Sequence, residues 1–329
     1  MSDDLFYTLP QAAPITDEQI ERDLDGGHVN RLVDAYFKFA FGRPERSDMF
    51  LDLLNAIVFP YNERVFSKVE YVDREFSPER KDGKGFRLDL VGLLDGKERV
   101  NLEVQIRREA GYIKRSIYYL ALLHSGQLNA GEKYPEVHRT ISIHITGFPL
   151  LLDEPDFRNS YSFRNDESGK ILSEDILMIF VELPKYAKQL KAGREPVNKL
   201  ERWLGYLAGL EGKAMTSIAH DEPMIGRALD TERLFLMDEK QRFAYIRDFR
   251  AMMAATNHDE GIRQEALEEG RAEGEAKGRA EGKVEGKVEG KMEVAERLLE
   301  LDYSIDKIAL ITGLSDEEVQ NIANEQDRS

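Results

Sequence analysis

The chain has 329 residues, 41 % of them apolar, with a formal charge of −16 and no cysteine. That length holds one large domain with accessories or two domains, while the missing cysteines exclude a disulfide framework and a thiolate metal site, and the charge argues against nonspecific nucleic-acid binding over the whole surface. No apolar run approaches a transmembrane helix, and the acidic start MSDDLFYTLPQAAPITDEQ lacks the basic and apolar parts of a signal peptide, so a cytoplasmic protein with no membrane partner is expected.

Residues 1–16 read as a disordered lead-in. From Asp17 to about Phe41 the pattern is helical, capped by Thr16 with Glu18 and Gln19 in the first turn, and interrupted at Gly26-Gly27. Its second piece, VNRLVDAYFKFAFG, stops at Gly42. DMFLDLLNAIV, from Asp48 to Val58, predicts another helix, stopped by Pro60. Val65 to Glu75 alternates loosely, as a strand does, and SPERKDGKG is a loop. Phe86–Leu94 and Val100–Ile106 then predict a hairpin turning at Asp95-Gly96. Residues 111–134 predict a long helix, Arg139–Ile145 a strictly alternating strand, and Ile176–Leu183 a strand ended by Pro184, with a polar loop between the strands. This order is an α/β sandwich rather than alternating βαβ units.

Beyond residue 195 the pattern is helical, and the single tryptophan, Trp203, reads as core. Residues 270–291, GRAEGEAKGRAEGKVEGKVEGK, repeat glycine every fourth position. On a helix such a stripe drifts about 40° per repeat. Glu281, Glu285 and Glu289 fall in one like-charge column, Lys283, Lys287 and Lys291 in another. Each interior glycine costs about 1 kcal/mol, so a lone helix here is marginal; the reading is a weak helical spacer able to self-associate. The tail predicts two short helices around Thr312-Gly313, with Ser315 and Glu318 as a capping box. Its second helix opens Asp316-Glu317-Glu318, which opposes phosphate, so docking or dimerisation is favoured over DNA reading. The expected division is 1–16 lead-in, 17–195 α/β domain, 196–260 helical region packed on it, 261–295 spacer and 296–329 two-helix tail.

The hairpin FRLDLVGLLDGKERVNLEVQIRR holds the candidate chemistry. Asp89 falls in the middle of its first strand, and Glu103 and Gln105 share the face opposite Leu102, Val104 and Ile106. Aspartate is depleted in strands, and unpaired buried carboxylates are costly. Either both acids point to water from a half-buried sheet, or a divalent cation sits between them. In the second case Mg²⁺ takes the two carboxylates, waters and a substrate phosphate, with the Val104 carbonyl as a third protein ligand. The ion would activate a water toward a phosphodiester, and Gln105 would orient that water or the phosphate. Arg80, Lys81, Lys84, Arg87, Arg107, Arg108, Lys114 and Arg115 gather near the hairpin and suit a phosphate-bearing substrate. Arg107, Arg108 and Lys114 are the expected DNA contacts. No Gly-x-Ser-x-Gly element or Gly-x-x-x-x-Gly-Lys-Ser/Thr loop occurs, and the six histidines lack zinc-ligand spacing.

An acid on one strand and Glu-x-Gln on the next resembles the PD-(D/E)XK nucleases. DAYFKFAFG (34–42), FLDLLNAIV (50–58), LDLVGLLDGKERVNLEVQ (88–105), YIKRSIYYLALLHSGQLNAGEKY (112–134) and the tail ending YSIDKIALITGLSDEEV are similar, in this order, to the Rpn family of recombination-promoting nucleases and transposase-like proteins. The resemblance implies an α/β, restriction-endonuclease-like fold with an αβββαβ core and a helical C-terminal region for assembly. It implies a DNA endonuclease dependent on Mg²⁺ or Mn²⁺ and tied to DNA recombination. Asp89, Glu103 and Gln105 would be catalytic, with Asp89, Glu103 and Val104 at the metal. Asp34 and Lys38 would be the first-helix acid and lysine, and Arg115 and Tyr119 the helix contacts. Gln105 stands where the wider superfamily has lysine, so positive charge must come from the metal or from an arginine, Arg107 or Arg115. A homo-oligomer through the C-terminal region is also expected, and the rival reading is a catalytically weak scaffold that keeps the fold and binds DNA or a partner.

Overall fold

The computed structural model describes residues 16–59, 65–72, 75–76, 86–87, 89–128 and 131–326. The lead-in up to residue 15, Pro60, the SPERKDGKG loop and Arg80, Lys81 and Lys84 lie outside the described residues, as does the side chain of Arg87. Two compact units form, Met1–Asn257 and His258–Ser329. Among the described residues no helix is long and apolar enough to cross a membrane.

The first unit is mixed α/β, built on a six-stranded mixed sheet. Its strands are β1 (Val69–Tyr71), β4 (Leu90–Leu94), β5 (Glu98–Gln105), β6 (Thr140–Thr146), β7 (Arg158–Tyr161) and β8 (Ile176–Glu182), in the order β1-β4-β5-β6-β8-β7. β2 (Glu75–Phe76) and β3 (Phe86–Arg87) pair apart as a two-stranded ladder. β1, β4 and β5 run antiparallel in turn, β5, β6 and β8 are parallel, and β7 returns antiparallel along β8. The three-residue β4–β5 loop, Asp95 to Lys97, carries left-handed φ values of 49° at Asp95 and 72° at Gly96, and the Lys97 N–H donates to the Leu94 carbonyl at 3.0 Å. Asp95 Oδ1 also accepts from the backbone N–H groups of Ser67 and Lys68, at 2.9 Å each, which ties the entry to β1 to this turn. At Gly92 a Cβ would come within 2.7 Å of Val69 Cγ2, so only glycine lets β1 lie this close.

Period-two alternation gives the sheet two unlike faces. Leu90, Leu94, Val100, Leu102, Ile141, Ile143, Ile145, Ile179 and Val181 point into the main core. There they meet α1 (Asp17–Asp25), α2 (Asp34–Phe41), α3 (Ser47–Val58), α5 (Leu183–Lys191), α6 (Lys199–Leu207), α7 (Gly212–Asp221), α8 (Pro223–Met237) and the start of α9 (Glu239–Glu300). Trp203 is fully buried in this core, its indole N–H donating to Asp52 Oδ2 at 2.8 Å. The other face carries Asn101, Glu103, Gln105, Ser142, His144 and Thr146, and α4 (Tyr112–Ser125) packs over it.

Thr16 caps α1 through a capping box with Gln19, as its sequence predicts. Residues 29–33 do not continue as helix, although VNRLV is amphipathic and buried. Tertiary partners take their polar groups instead: Arg31 Nε donates to buried Glu232 at 2.6 Å, and the Asn30 N–H donates to the Tyr245 hydroxyl at 2.8 Å. The long helix expected over 111–134 stops at Ser125, with Gly126 as its cap. Beyond it the Gln127 side chain donates to the His138 carbonyl at 2.9 Å, pinning the chain to the entry of β6. Pro184 does end β8, but from inside the first turn of α5, where its missing N–H costs nothing. The polar loop before β8 hides β7, held by Arg158 Nε donating to the Ile57 carbonyl at 2.8 Å.

In the second unit α9 runs on to Glu300, followed by α10 (Ile305–Thr312) and α11 (Asp316–Gln326). Ala295, Ile308, Val319 and Ile322 form a small core there. Gly313 turns the chain at φ 66°, and the Ser315 N–H donates to Glu318 Oε2 at 2.7 Å in a capping box.

Candidate active site

The antiparallel register that pairs Leu90 with Leu102 continues to set Asp89 opposite Glu103. Asp89 does not lie in mid-strand, as the sequence suggests; it occupies a bend just before β4, because β3 has left to pair with β2. The two acids then complete the ladder with their side chains. The Asp89 N–H donates to Glu103 Oε1 at 3.1 Å, and the Val104 N–H donates to Asp89 Oδ2 at 3.0 Å. Neither acid points freely to water: Asp89 is 23 % exposed and Glu103 is half-buried.

Burial raises the Asp89 carboxyl above the usual range, against the lowering pull of Lys38. Glu103 is pushed up to about 8, first by burial and then by the neighbouring Asp89. Two acids facing each other in a poorly solvated place cannot both ionise cheaply. Lys38, on α2, reaches into this pair, its Nζ 3.5 Å from Asp89 Oδ1 and 2.6 Å from Asp34 Oδ1 one turn away. The structure therefore brings Asp34, Lys38, Asp89 and Glu103 together from a helix, a bend and a strand. Asn101, two residues before Glu103 on the same face, hydrogen-bonds that acid, while its own Oδ1 is buried with no partner among the described residues.

Gln105 lies next along this face. Its Nε2 donates to the Arg107 carbonyl at 2.8 Å and to Glu109 Oε1 at 3.1 Å, and its Oε1 accepts from Arg115 Nη2 at 3.0 Å. Arg115 also pairs with Glu109 Oε2 and stacks over the Tyr112 ring at 5.1 Å. Arg115 lowers the proton affinity of Glu103, so its charge is felt at the acid pair. Tyr119, one turn on, packs with Val91 and Leu123. Arg107 is half-buried and reaches Glu109 at 3.4 Å, while Arg108 and Lys114 are exposed nearby.

Three participants carry no sequence signal of their own. Glu109 sits in the β5–α4 loop as one charge in a basic run. Asn101 reads as an ordinary strand polar residue. His144 stands beside Glu103 in the parallel register and is fully enclosed. Its ring contacts the Tyr112 hydroxyl at 3.1 Å and the Ser142 hydroxyl at 2.9 Å, and burial drives it down to about 3, so it stays neutral. Alternation alone could have placed Asn101 and His144 on the Glu103 face; nothing local could have singled out Glu109.

Two carboxylates, a backbone carbonyl and water form a hard, all-oxygen donor set suited to Mg²⁺ or Mn²⁺. Among the described residues no group of three or more histidine, aspartate or glutamate side chains converges as a self-sufficient metal cage.

A family model described as PD-(D/E)XK nuclease family transposase matches residues 31–259, which include every residue of this site. No curated protein and no solved structure gives a match. The match points to a nuclease-like or transposase-related function, a class that generally uses divalent metals and acts on DNA. Spanning well over half of the chain, it shows that the protein belongs to the PD-(D/E)XK nuclease family transposases.

Proposed function

We propose that this chain is a Mg²⁺-dependent DNA endonuclease, able to use Mn²⁺, that hydrolyses phosphodiester bonds in the service of DNA recombination. The observation that carries the reading is the Asp89–Glu103 pair. The two acids are fixed by backbone hydrogen bonds, Asp89 N–H to Glu103 and Val104 N–H to Asp89, where burial raises both proton affinities and Asp89 raises that of Glu103 further. A bound cation would relieve their repulsion, which supports a metal between the two acids. In this reading α3, β1, β4, β5, α4 and β6, in chain order, would be the αβββαβ restriction-endonuclease-like core.

Asp89 and Glu103 would hold the metal with the Val104 carbonyl, and the ion would supply Lewis-acid activation of water and of the phosphate. Lys38 favours the charged form of Asp89, against the burial that disfavours it. Arg115 brings the positive charge that neutral Gln105 lacks, and its planar fork fits phosphate oxygens. Asp34 holds Lys38 from the outer side. Arg107, Arg108 and Lys114 extend the basic surface along which a DNA backbone would run. We further take residues 17–195 as the nuclease domain, 196–260 as its helical support, and the segments 261–295 and 296–329 as a spacer and an assembly tail for a cytoplasmic homo-oligomer.

The test is incubation of the purified full chain with supercoiled plasmid and Mg²⁺, beside Asp89→Asn and a chelator control. Nicking by the wild type, lost in both controls, is expected. Intact plasmid that is still retarded on a gel would replace this reading with the DNA-binding scaffold.

A further inference from the structure

We propose that Glu109, together with Gln105, is a positioning residue: a two-sided cradle that aims Arg115 at the substrate phosphate. The identity of that phosphate rests on the nuclease reading above; the cradle does not.

Gln105 has one amide nitrogen with two N–H donors. Its nitrogen makes two contacts, to the Arg107 carbonyl at 2.8 Å and to Glu109 Oε1 at 3.1 Å. No donor remains for a water or a phosphate. Its carbonyl oxygen accepts from Arg115 Nη2 at 3.0 Å. Whatever Gln105 contributes to an anion therefore passes through Arg115. Glu109 closes the opposite side of the fork, with Oε2 on Arg115 Nη1. Its Oε1 gathers Gln105 Nε2 and, at 3.4 Å, Arg107 Nη2. Glu109 thus touches Gln105, Arg107 and Arg115 together.

The backbone holds this carboxylate in place. The Glu109 carbonyl accepts the Tyr112 N–H at 3.3 Å, at the point where α4 begins. Gly111 makes the turn into α4 at φ 75°, a conformation that side-chain-bearing residues rarely adopt. Arginine carries five N–H donors, and the cradle engages one on each outer nitrogen, so three remain for a phosphate. A long, flexible side chain held on both sides presents those donors in a fixed direction.

Glu109→Ala, Glu109→Gln, Arg115→Ala and the Glu109→Ala/Arg115→Ala double variant would be compared with wild type, each first checked by circular dichroism. One measurement needs no catalysis: modification of Arg115 by phenylglyoxal, followed by peptide mass spectrometry. Glu109→Ala should raise the Arg115 modification rate by about tenfold, the size of one lost charge-assisted hydrogen bond. Glu109→Gln, which keeps a planar acceptor, should fall between. The second measurement is plasmid nicking with Mg²⁺. Glu109→Ala should slow it by about tenfold, and the double variant should be no slower than Arg115→Ala alone, because the effect runs through that arginine. Unchanged Arg115 reactivity would overturn the cradle. So would nicking losses that multiply in the double variant. Faster nicking or tighter DNA retention in Glu109→Ala would also overturn it, showing that Glu109 blocks Arg115 rather than aiming it. A wild type that does not nick would defeat the nuclease reading, and the phenylglyoxal result would still decide the cradle.

Discussion

The two faces of the central sheet are made by the same strands and do opposite things. On one, Val100, Leu102, Ile141, Ile143, Ile145 and Ile179 vanish into a core shared with eight helices. On the other, one residue away at each step, Asn101, Glu103, Ser142 and His144 form a polar floor under a single helix. Stability and chemistry are thus separated by the pleat rather than by distance. The apolar face can supply the energy that a strained pair of acids on the opposite face costs. Substitutions on the apolar face should disturb folding, and those at the acid pair should disturb activity while sparing or raising stability.

The sharpest break should come from Asp89→Asn, which should lower nicking about a thousandfold, the several kcal/mol that metal-centred catalysis supplies. Leu102→Ala, one position before Glu103 but on the apolar face, should cost about 2–5 kcal/mol in denaturant unfolding, with nicking per folded molecule retained. A large activity loss there would collapse the separation. Glu103→Gln should raise the thermal midpoint above neutral pH. The sign follows from Glu103's proton affinity, lifted from 4.5 to about 8 by burial and Asp89. Below the ordinary value the group is neutral in both states and costs nothing. From about pH 5 to about pH 8 the folded state binds a proton that the unfolded state lacks, so wild-type stability falls as pH rises. The variant should lose that slope, and Mg²⁺ should stabilise the wild type alone. Lys38→Met should slow nicking about tenfold and move the acidic limb of its pH profile upward, since Asp89 loses the cation that favours its charged form. His144→Gln should have the smallest effect on rate. It should leave the pH profile unchanged in form, because His144 is already neutral, while costing about 1–3 kcal/mol of stability.

Much of this was legible in advance. The hairpin announced itself through Asp95-Gly96, and period two separated Leu102 and Val104 from Glu103 and Gln105. The strand at 140–146 and the capped helix at Asp17 followed from local rules. What could not be read depended on distant partners. Residues 29–33 look helical until Glu232 and Tyr245, some 200 positions on, claim Arg31 and Asn30. β7 looks like loop because its pairing and its Arg158 anchor are both remote. Within the site, Asp89 was legible as a chemical group but not as a bend, because the departure of β3 toward β2 leaves no mark at position 89. Gln105 was legible as a residue facing the acids, but its occupation by Arg115 and Glu109 belongs to the loop's three-dimensional path.

The hydrogen bonds from the Asp89 N–H to Glu103 and from the Val104 N–H to Asp89 have a consequence for how this protein can vary. Each acid stands in for a missing main-chain rung at the open end of the β4–β5 hairpin. A slip of one residue between the strands would part the acids and leave two backbone N–H groups bare at once. Alignment of the strands and integrity of the site are therefore one inherited trait, and lineages that abandon cleavage should still keep an oxygen acceptor at both positions.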